Sequence, residues 1–257
     1  MSSILFEIKD NIAFISLNRP DRLNSFNREM ALSLQKNLDE CKNPSIRCVY
    51  LTGNGKAFSA GQDISELVGE NAIEIKQILS EHFNPIVTRI RKLEKPVLAA
   101  VNGVAAGAGA NIALCCDIVV AAQSSSFIQA FSKIGLIPDS GGTFTLPRLI
   151  GWQKASALMM LGDKVSATDA ERLGMIYKVF PDETFPDEAL KIAATLATMP
   201  TKGLAYTKQA LNHSLINSWE EQLQDEDIFQ QRAAQTADYK EGVNAFLAKR
   251  QPEFRGE

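Results

Sequence analysis

Histidine is almost missing from this chain: only His82 and His213 occur in 257 residues. The four cysteines include no Cys-x-x-Cys pair, and two of them, Cys115 and Cys116, are adjacent. A His/Cys metal site therefore has almost nothing to build from, and a disulfide framework is a poor fit. That cysteine usage suits a reducing, cytoplasmic setting. There is no excess of basic charge either. Lys plus Arg number 27 against 30 Asp plus Glu, a formal net charge of −3, and no dense Lys/Arg run appears. No nucleic-acid footprint is written there. The start, MSSILFEIKDN, meets charge too early to be a signal peptide.

One long apolar run does exist, from Val97 to Ala122, with small residues at Gly103 and Gly107 as in packed transmembrane helices. Asn102, Asn111 and Asp117 are spread through it, and glycine outnumbers leucine there. It reads as close backbone packing inside a soluble core, so no membrane partner is expected. With 45% hydrophobic and 22% charged residues, the chain has the composition of a packed globular protein.

Alternating apolar residues around Asp10-Asn11 predict a β-hairpin. Met30, Leu34 and Leu38 lie at helical spacing within 28–42, and Ile46 to Thr52 reads as a strand. Phe58 to Asp63 reads as a loop, and Asn71 to Glu94 as a long helix bent near Pro85. Pro96 to Val101 is a buried strand running into the glycine turn at Asn102-Gly103, followed by a small-residue helix over 107–115. Further strands fall at 117–122, near Phe127 and at 175–180, and Thr168-x-x-Glu171 reads as a capping box ahead of a helix stop at Gly174. Beyond Asp187 only helices are expected, broken at Pro200. Strand–helix alternation gives an α/β core over 1–195 and a helical tail over 196–257.

Two glycine-rich turns, Phe58-Ser59-Ala60-Gly61 and Gly103 to Gly109, precede expected helices. Their small side chains admit another molecule to the backbone, and helix-start N–H groups lack partners within the helix. Aimed at one point, such groups form an oxyanion hole; taken singly, each turn is equally well a site of tight packing. A dinucleotide site is a weaker reading, because Gly107-x-Gly109 is followed by Ile112 where a third small residue belongs. Gly53-Asn54-Gly55-Lys56-Ala57 lacks the spacing of a phosphate-binding loop. Asp139, in Pro138-Asp139-Ser140-Gly141, is either a turn residue or a carboxylate base beside Leu136 and Ile137.

Taken together, Asn18-Arg19-Pro20 with Asn24-Ser25-Phe26, Phe58 to Asp63, Lys95 to Gly109 and Gly135 to Thr143 resemble the enoyl-CoA hydratase/isomerase (crotonase) superfamily in order and spacing. The tail, Ala245 to Arg250, matches as well. The resemblance implies an α/β crotonase-like spiral of ββα units with a C-terminal helical trimerisation region, a homotrimer or dimer of trimers, and an acyl-CoA thioester as substrate. Coenzyme A would arrive as part of that substrate, and no metal or other cofactor is implied. Carried over by position, the oxyanion donors fall on Ala60 and Ala108. Arg22, Leu23, Ala60, Gln62, Asp63, Ile64 and Gly107 would line the coenzyme A groove. Phe246 and Lys249 would reach the coenzyme A of a neighbouring subunit.

The chain departs from the superfamily's hydratases at the two positions where these carry glutamates, here Asn111 and Phe131. Neither side chain is a general base. An acidic residue appears instead at Asp139, as in several isomerases of the superfamily. The stretch 130–139 most resembles the branch acting on ring-1,2-epoxyphenylacetyl-CoA in bacterial phenylacetate degradation. An isomerase is therefore the leading expectation, moving a double bond from C3 to C2 or converting the ring epoxide to oxepin-CoA. A hydratase or hydrolase of the same fold is the alternative among enzymes, and a non-catalytic coenzyme A-binding or assembly protein the alternative outside them.

Overall fold

The computed structural model describes residues 2–69 and 72–257. Strands β1 (Ile4–Lys9) and β2 (Ile12–Leu17) form the expected hairpin, with Asp10 and Asn11 at φ 50° and 61°, as a tight two-residue turn demands. The Asn27 side chain accepts a hydrogen bond from the Met30 N–H and starts α1 (Arg28–Glu40), which buries Met30, Leu34 and Leu38. Then come β3 (Cys48–Gly53), β4 (Ala57–Ser59), α2 (Ile75–Gln77), a π-helical turn (Ile78–Phe83), α3 (Asn84–Lys92), β5 (Val97–Val101), β6 (Val104–Ala106), α4 (Ala108–Leu114), β7 (Ile118–Ala122) and β8 (Ser126–Ile128). After these follow α5 (Gly142–Ile150), α6 (Trp152–Leu161), β9 (Lys164–Ser166), α7 (Ala167–Arg172), β10 (Lys178–Phe180), α8 (Phe185–Thr198), α9 (Thr201–His213), α10 (Trp219–Ala234) and α11 (Ala237–Leu247).

The pairs β3–β4, β5–β6 and β7–β8 repeat one pattern. The first strand of each joins a six-stranded sheet, β1-β2-β3-β5-β7-β10, and the second a four-stranded sheet, β4-β6-β8-β9. Successive turns add parallel neighbours to both sheets. This is the expected spiral of ββα units. The central strands β3, β5 and β7 are buried on both faces, which gives them continuous apolar runs rather than alternation with polar residues. Val49, Leu51, Val97 and Ala99 face the main core; Cys48, Tyr50, Leu98 and Ala100 face α8 through Ala189 and Ala193. The apolar stretch 97–122 is thus folded into β5, β6, α4 and β7, and no described helix is long and apolar enough to cross a membrane.

Several expectations need correction. Strands β4, β6 and β9 fall outside the expected elements, because three residues are too few for a readable period. The long helix is broken by the π-helical turn, with Pro85 seated harmlessly in the first turn of α3; its expected start at Asn71 lies outside the described residues. The cap of α7 is Ser166, whose hydroxyl accepts from the Asp169 N–H at 3.1 Å, and Glu171 instead accepts from the Val179 N–H.

Among the bonds that fasten the tail to the core is a buried ion pair. Lys208 on α9 donates to Asp117 at 2.7 Å and to the carbonyls of Ile90 and Lys95, while Asp117 also accepts from the Val97 N–H. Burial pushes the Asp117 carboxyl up and the Lys208 amine down, each opposed by the partner's charge. Lys208→Met leaves Asp117 buried and unpaired, and is expected to cost about 3–5 kcal/mol of stability, seen as a lower urea midpoint. Adding Asp117→Asn should recover part of the loss. An unchanged midpoint in the single variant would show that the pair is dispensable.

Candidate active site

Residues 60–63 are stitched to the chain at 23–26. Ala60 donates its N–H to the Leu23 carbonyl at 2.9 Å, Phe26 to Gly61 at 2.7 Å, and Asp63 to Phe26 at 2.9 Å. The Gly61 N–H is taken by the Ser59 hydroxyl. Gln62 is thus left with an N–H that donates to none of the described residues. Gly61 turns at φ 89°, and a Cβ there would stand 2.8 Å from the Ala106 carbonyl and 3.3 Å from the Ala108 nitrogen. Only glycine permits that approach, which brings the turn against the start of α4. Ala108 is the first residue of α4, so its N–H has no partner within the helix, and it finds none elsewhere among the described residues.

The unpaired amides that meet are therefore those of Gln62 and Ala108. Ala60 was expected in this role, and its N–H is already spent on Leu23. The signal for Gln62 is Gly61, whose φ of 89° turns the chain against the start of α4 and leaves the next N–H without a partner among the described residues.

Asp139 comes to the same place from the other side. Ser140 and Gly141 both have positive φ, 53° and 77°, so the chain reverses sharply before α5. The Asp139 carbonyl accepts from the Gly142 N–H at 2.8 Å and from Asn111 Nδ2 at 2.9 Å. Its carboxyl accepts from the Ser140 hydroxyl at 2.7 Å. Burial pushes this carboxyl above its ordinary value, and the Ser140 bond only partly opposes that. The carboxyl, Gln62 and Ala108 share one cavity of about 540 Å³. Its walls are mostly apolar, with Leu67, Ile78, Leu79, Phe83 and Phe131 among them. Among the described residues, Asp139 is the only carboxylate and Lys133 the only cation lining it, and neither histidine does.

Of the two positions where hydratases carry glutamates, Phe131 turns its ring to the cavity, while Asn111 is 1% exposed and bonded inward. Glu66, another acid near the turn, accepts from the Arg28 N–H and from Gln62 Nε2 and lies outside the cavity lining.

The expected coenzyme A residues divide. Leu23 is exposed and touches the 60–63 turn through its carbonyl, with Arg22 exposed beside it. Ile64, 52% exposed, and Gly107 line the cavity. Asp63 is committed elsewhere. It pairs with Arg19 at 2.9 Å and caps the following turn through Ser65; burial would raise its pKa, but these bonds hold it below its ordinary value. Phe246, 83% exposed, and Lys249 lie on the tail and do not line this cavity within the chain. Phe246 lines a separate apolar hollow with Val243 and Leu247 of α11.

The family model described as "Enoyl-CoA hydratase/isomerase" matches residues 7–257. The chain is 48% identical to the 1,2-epoxyphenylacetyl-CoA isomerase of Escherichia coli (strain K12), covering 100% of this chain and 99% of the relative. It is 41% identical to a probable enoyl-CoA hydratase of Rhodobacter capsulatus, over 99% and 98% of the two chains. Its fold superimposes on the crystal structure of a putative enoyl-CoA hydratase/isomerase from Mycobacterium abscessus with a TM-score of 0.93, at 33% identity and with 99% and 100% of the two chains covered. The chain thus belongs to the enoyl-CoA hydratase/isomerase family, enzymes that act on acyl-CoA thioesters.

Proposed function

We propose that this enzyme is an isomerase of CoA thioesters that works through an enolate. The observation that carries the reading is the position of Asp139: one half-buried carboxyl in an apolar cavity, sharing it with the N–H groups of Gln62 and Ala108 that find no partner among the described residues. The thioester carbonyl binds between those two amides. Asp139 takes a proton from C2, and the electron pair of that C–H bond passes into the carbonyl, giving a dienolate whose oxygen the amides hold. The protonated carboxyl then returns the proton at C4, so the double bond moves from C3 to C2 with no net gain or loss of atoms. A ring-1,2-epoxyphenylacetyl thioester can lose the same C2 proton, and the activity for which the 48% identical relative is named favours that acyl group. Apolar walls suit either an aromatic ring or an alkenyl chain. Phe246 and Lys249 are assigned to the coenzyme A of a neighbouring subunit in a trimer.

Four measurements bear on this. Asp139→Asn keeps the shape and removes the base, so conversion of 3-enoyl-CoA should fall by about 10²–10⁴-fold; near-normal turnover would remove Asp139 from the chemistry. The same variant should be the more stable protein at neutral pH. Asp139 has a raised pKa when folded, so its contribution is fully present below the unfolded value of 3.8 and is lost as pH rises through the folded one. Denaturation curves should therefore separate near pH 7 and merge below 3.8; a less stable variant at pH 7 would contradict a strained, desolvated carboxylate.

Ala108 sits at the first position of α4, where proline is tolerated. Ala108→Pro thus deletes one donor with little effect on folding, and a loss of about 10²–10³ in kcat is expected. A folded variant with normal kcat would exclude the amide. Crotonyl-CoA should be hydrated only slowly. Brisk hydration with weak isomerisation would make the chain a hydratase, as the Rhodobacter relative is named.

A further inference from the structure

Asn111 occupies a position where hydratases carry a glutamate, yet its side chain is turned away from the cavity and is 1% exposed. Its Nδ2 donates to the Asp139 carbonyl at 2.9 Å, and its Oδ1 accepts from Gln129 Nε2 at 2.8 Å. Gln129, 2% exposed, follows β8 directly. The order of these bonds is forced. A carbonyl only accepts, so Asn111 must present its amino end to Asp139 and its oxygen to Gln129, which must in turn present its own amino end. Each bond fixes the next.

A second feature converges on the same amide. A Cβ at Gly142 would stand 2.3 Å from Asn111 Nδ2 and 2.6 Å from its Cγ, so the start of α5 rests directly on the asparagine and has room for nothing but hydrogen. Gly142 also donates its own N–H to the Asp139 carbonyl. Asp139 therefore sits at a left-handed reversal whose main chain is gripped from α4, from α5 and, through Gln129, from the end of β8. A carboxyl that serves two carbons in turn needs a fixed pivot, and a loop at such a reversal has no ladder of strand or helix bonds to supply one.

Resting on the reading of Asp139 as the base, we propose that Asn111 is a positioning residue that fixes the Asp139 main chain, oriented by Gln129 and wedged by Gly142.

The test compares Asn111→Leu, Gly142→Ala and Asp139→Asn by kcat, KM and the pH profile with a 3-enoyl-CoA. Asn111→Leu removes both amide bonds at similar volume, and displacement of the base by the order of 1 Å should lower kcat by about 10²-fold. KM should stay within about twofold, since the residue does not touch substrate. The acid limb of kcat/KM should move to lower pH as water reaches the loosened carboxyl. Lys133 on the cavity wall and the Cys115 thiol, 3.4 Å from the Ser140 carbonyl, are the other titratable groups at hand, and no variant alters them. Gly142→Ala keeps Asn111 but pushes its amide aside, so it should reproduce the fall in kcat and the shifted limb, and it decides the matter should Asn111→Leu not fold. Wild-type kcat and acid limb in a folded Asn111→Leu or Gly142→Ala, with Asp139→Asn inactive, would overturn the positioning role while leaving the base in place. A raised KM at unchanged kcat would overturn it too, by making Asn111 a substrate contact. An active Asp139→Asn would instead bring down the base, and this proposal with it.

Discussion

Keeping a carboxylate in an apolar cavity is costly, and the site is organised around that cost. Asp139 gains one hydroxyl bond, and burial outweighs it, pushing the carboxyl above its ordinary value. Left to itself, a loop carrying such a group relaxes toward water. It stays because the main chain around it is committed: the carbonyl accepts two hydrogen bonds, and the chain on either side of the reversal is held by α4 and α5. The result is a carboxyl whose affinity for protons is raised toward the working range of a proton shuttle. Stability given up at this point is what the chemistry uses.

The spiral explains how three distant segments come to one cavity. Each turn of chain passes from the large sheet to the small one, and the small sheet's strands are only three residues long, so the chain leaves them at once. After β4 it leaves through Gly61 and frees the Gln62 amide. After β6 it leaves through Gly107 and frees the Ala108 amide at the start of α4. After β8 it runs through Gln129 toward Asp139. Parallel register stacks these three exits side by side. The two unpartnered amides and the carboxyl are thus neighbours because their strands are, and the large sheet is covered by α8 on its far face.

Much of this was legible in the residues. The hairpin at Asp10-Asn11, the apolar strands and the α1 helix follow from periods long enough to read, and Asp139 and Ala108 stand out in their motifs. The misses share a cause. Strands β4, β6 and β9 carry too few residues for a period to show, and they take their conformation from neighbours distant in sequence. The misplacement of one amide, Ala60 for Gln62, has the same root, since which N–H is left unpaired depends on the pairing of 60–63 with 23–26. Asn111 was noted only for the charge it lacks. Its bonds to Asp139 and Gln129 join residues 28 and 18 positions away and leave no trace in local pattern.

The central claim is that Asp139 enolises a thioester held by two main-chain amides. Phenylacetyl-CoA tests it in isolation, because it carries an enolisable C2 and no double bond to move. Incubated with the enzyme in deuterium oxide and followed by proton NMR or mass, it should take up deuterium at C2 with the native protein and not with Asp139→Asn. Binding without exchange, or exchange at the same rate in both proteins, would contradict the account.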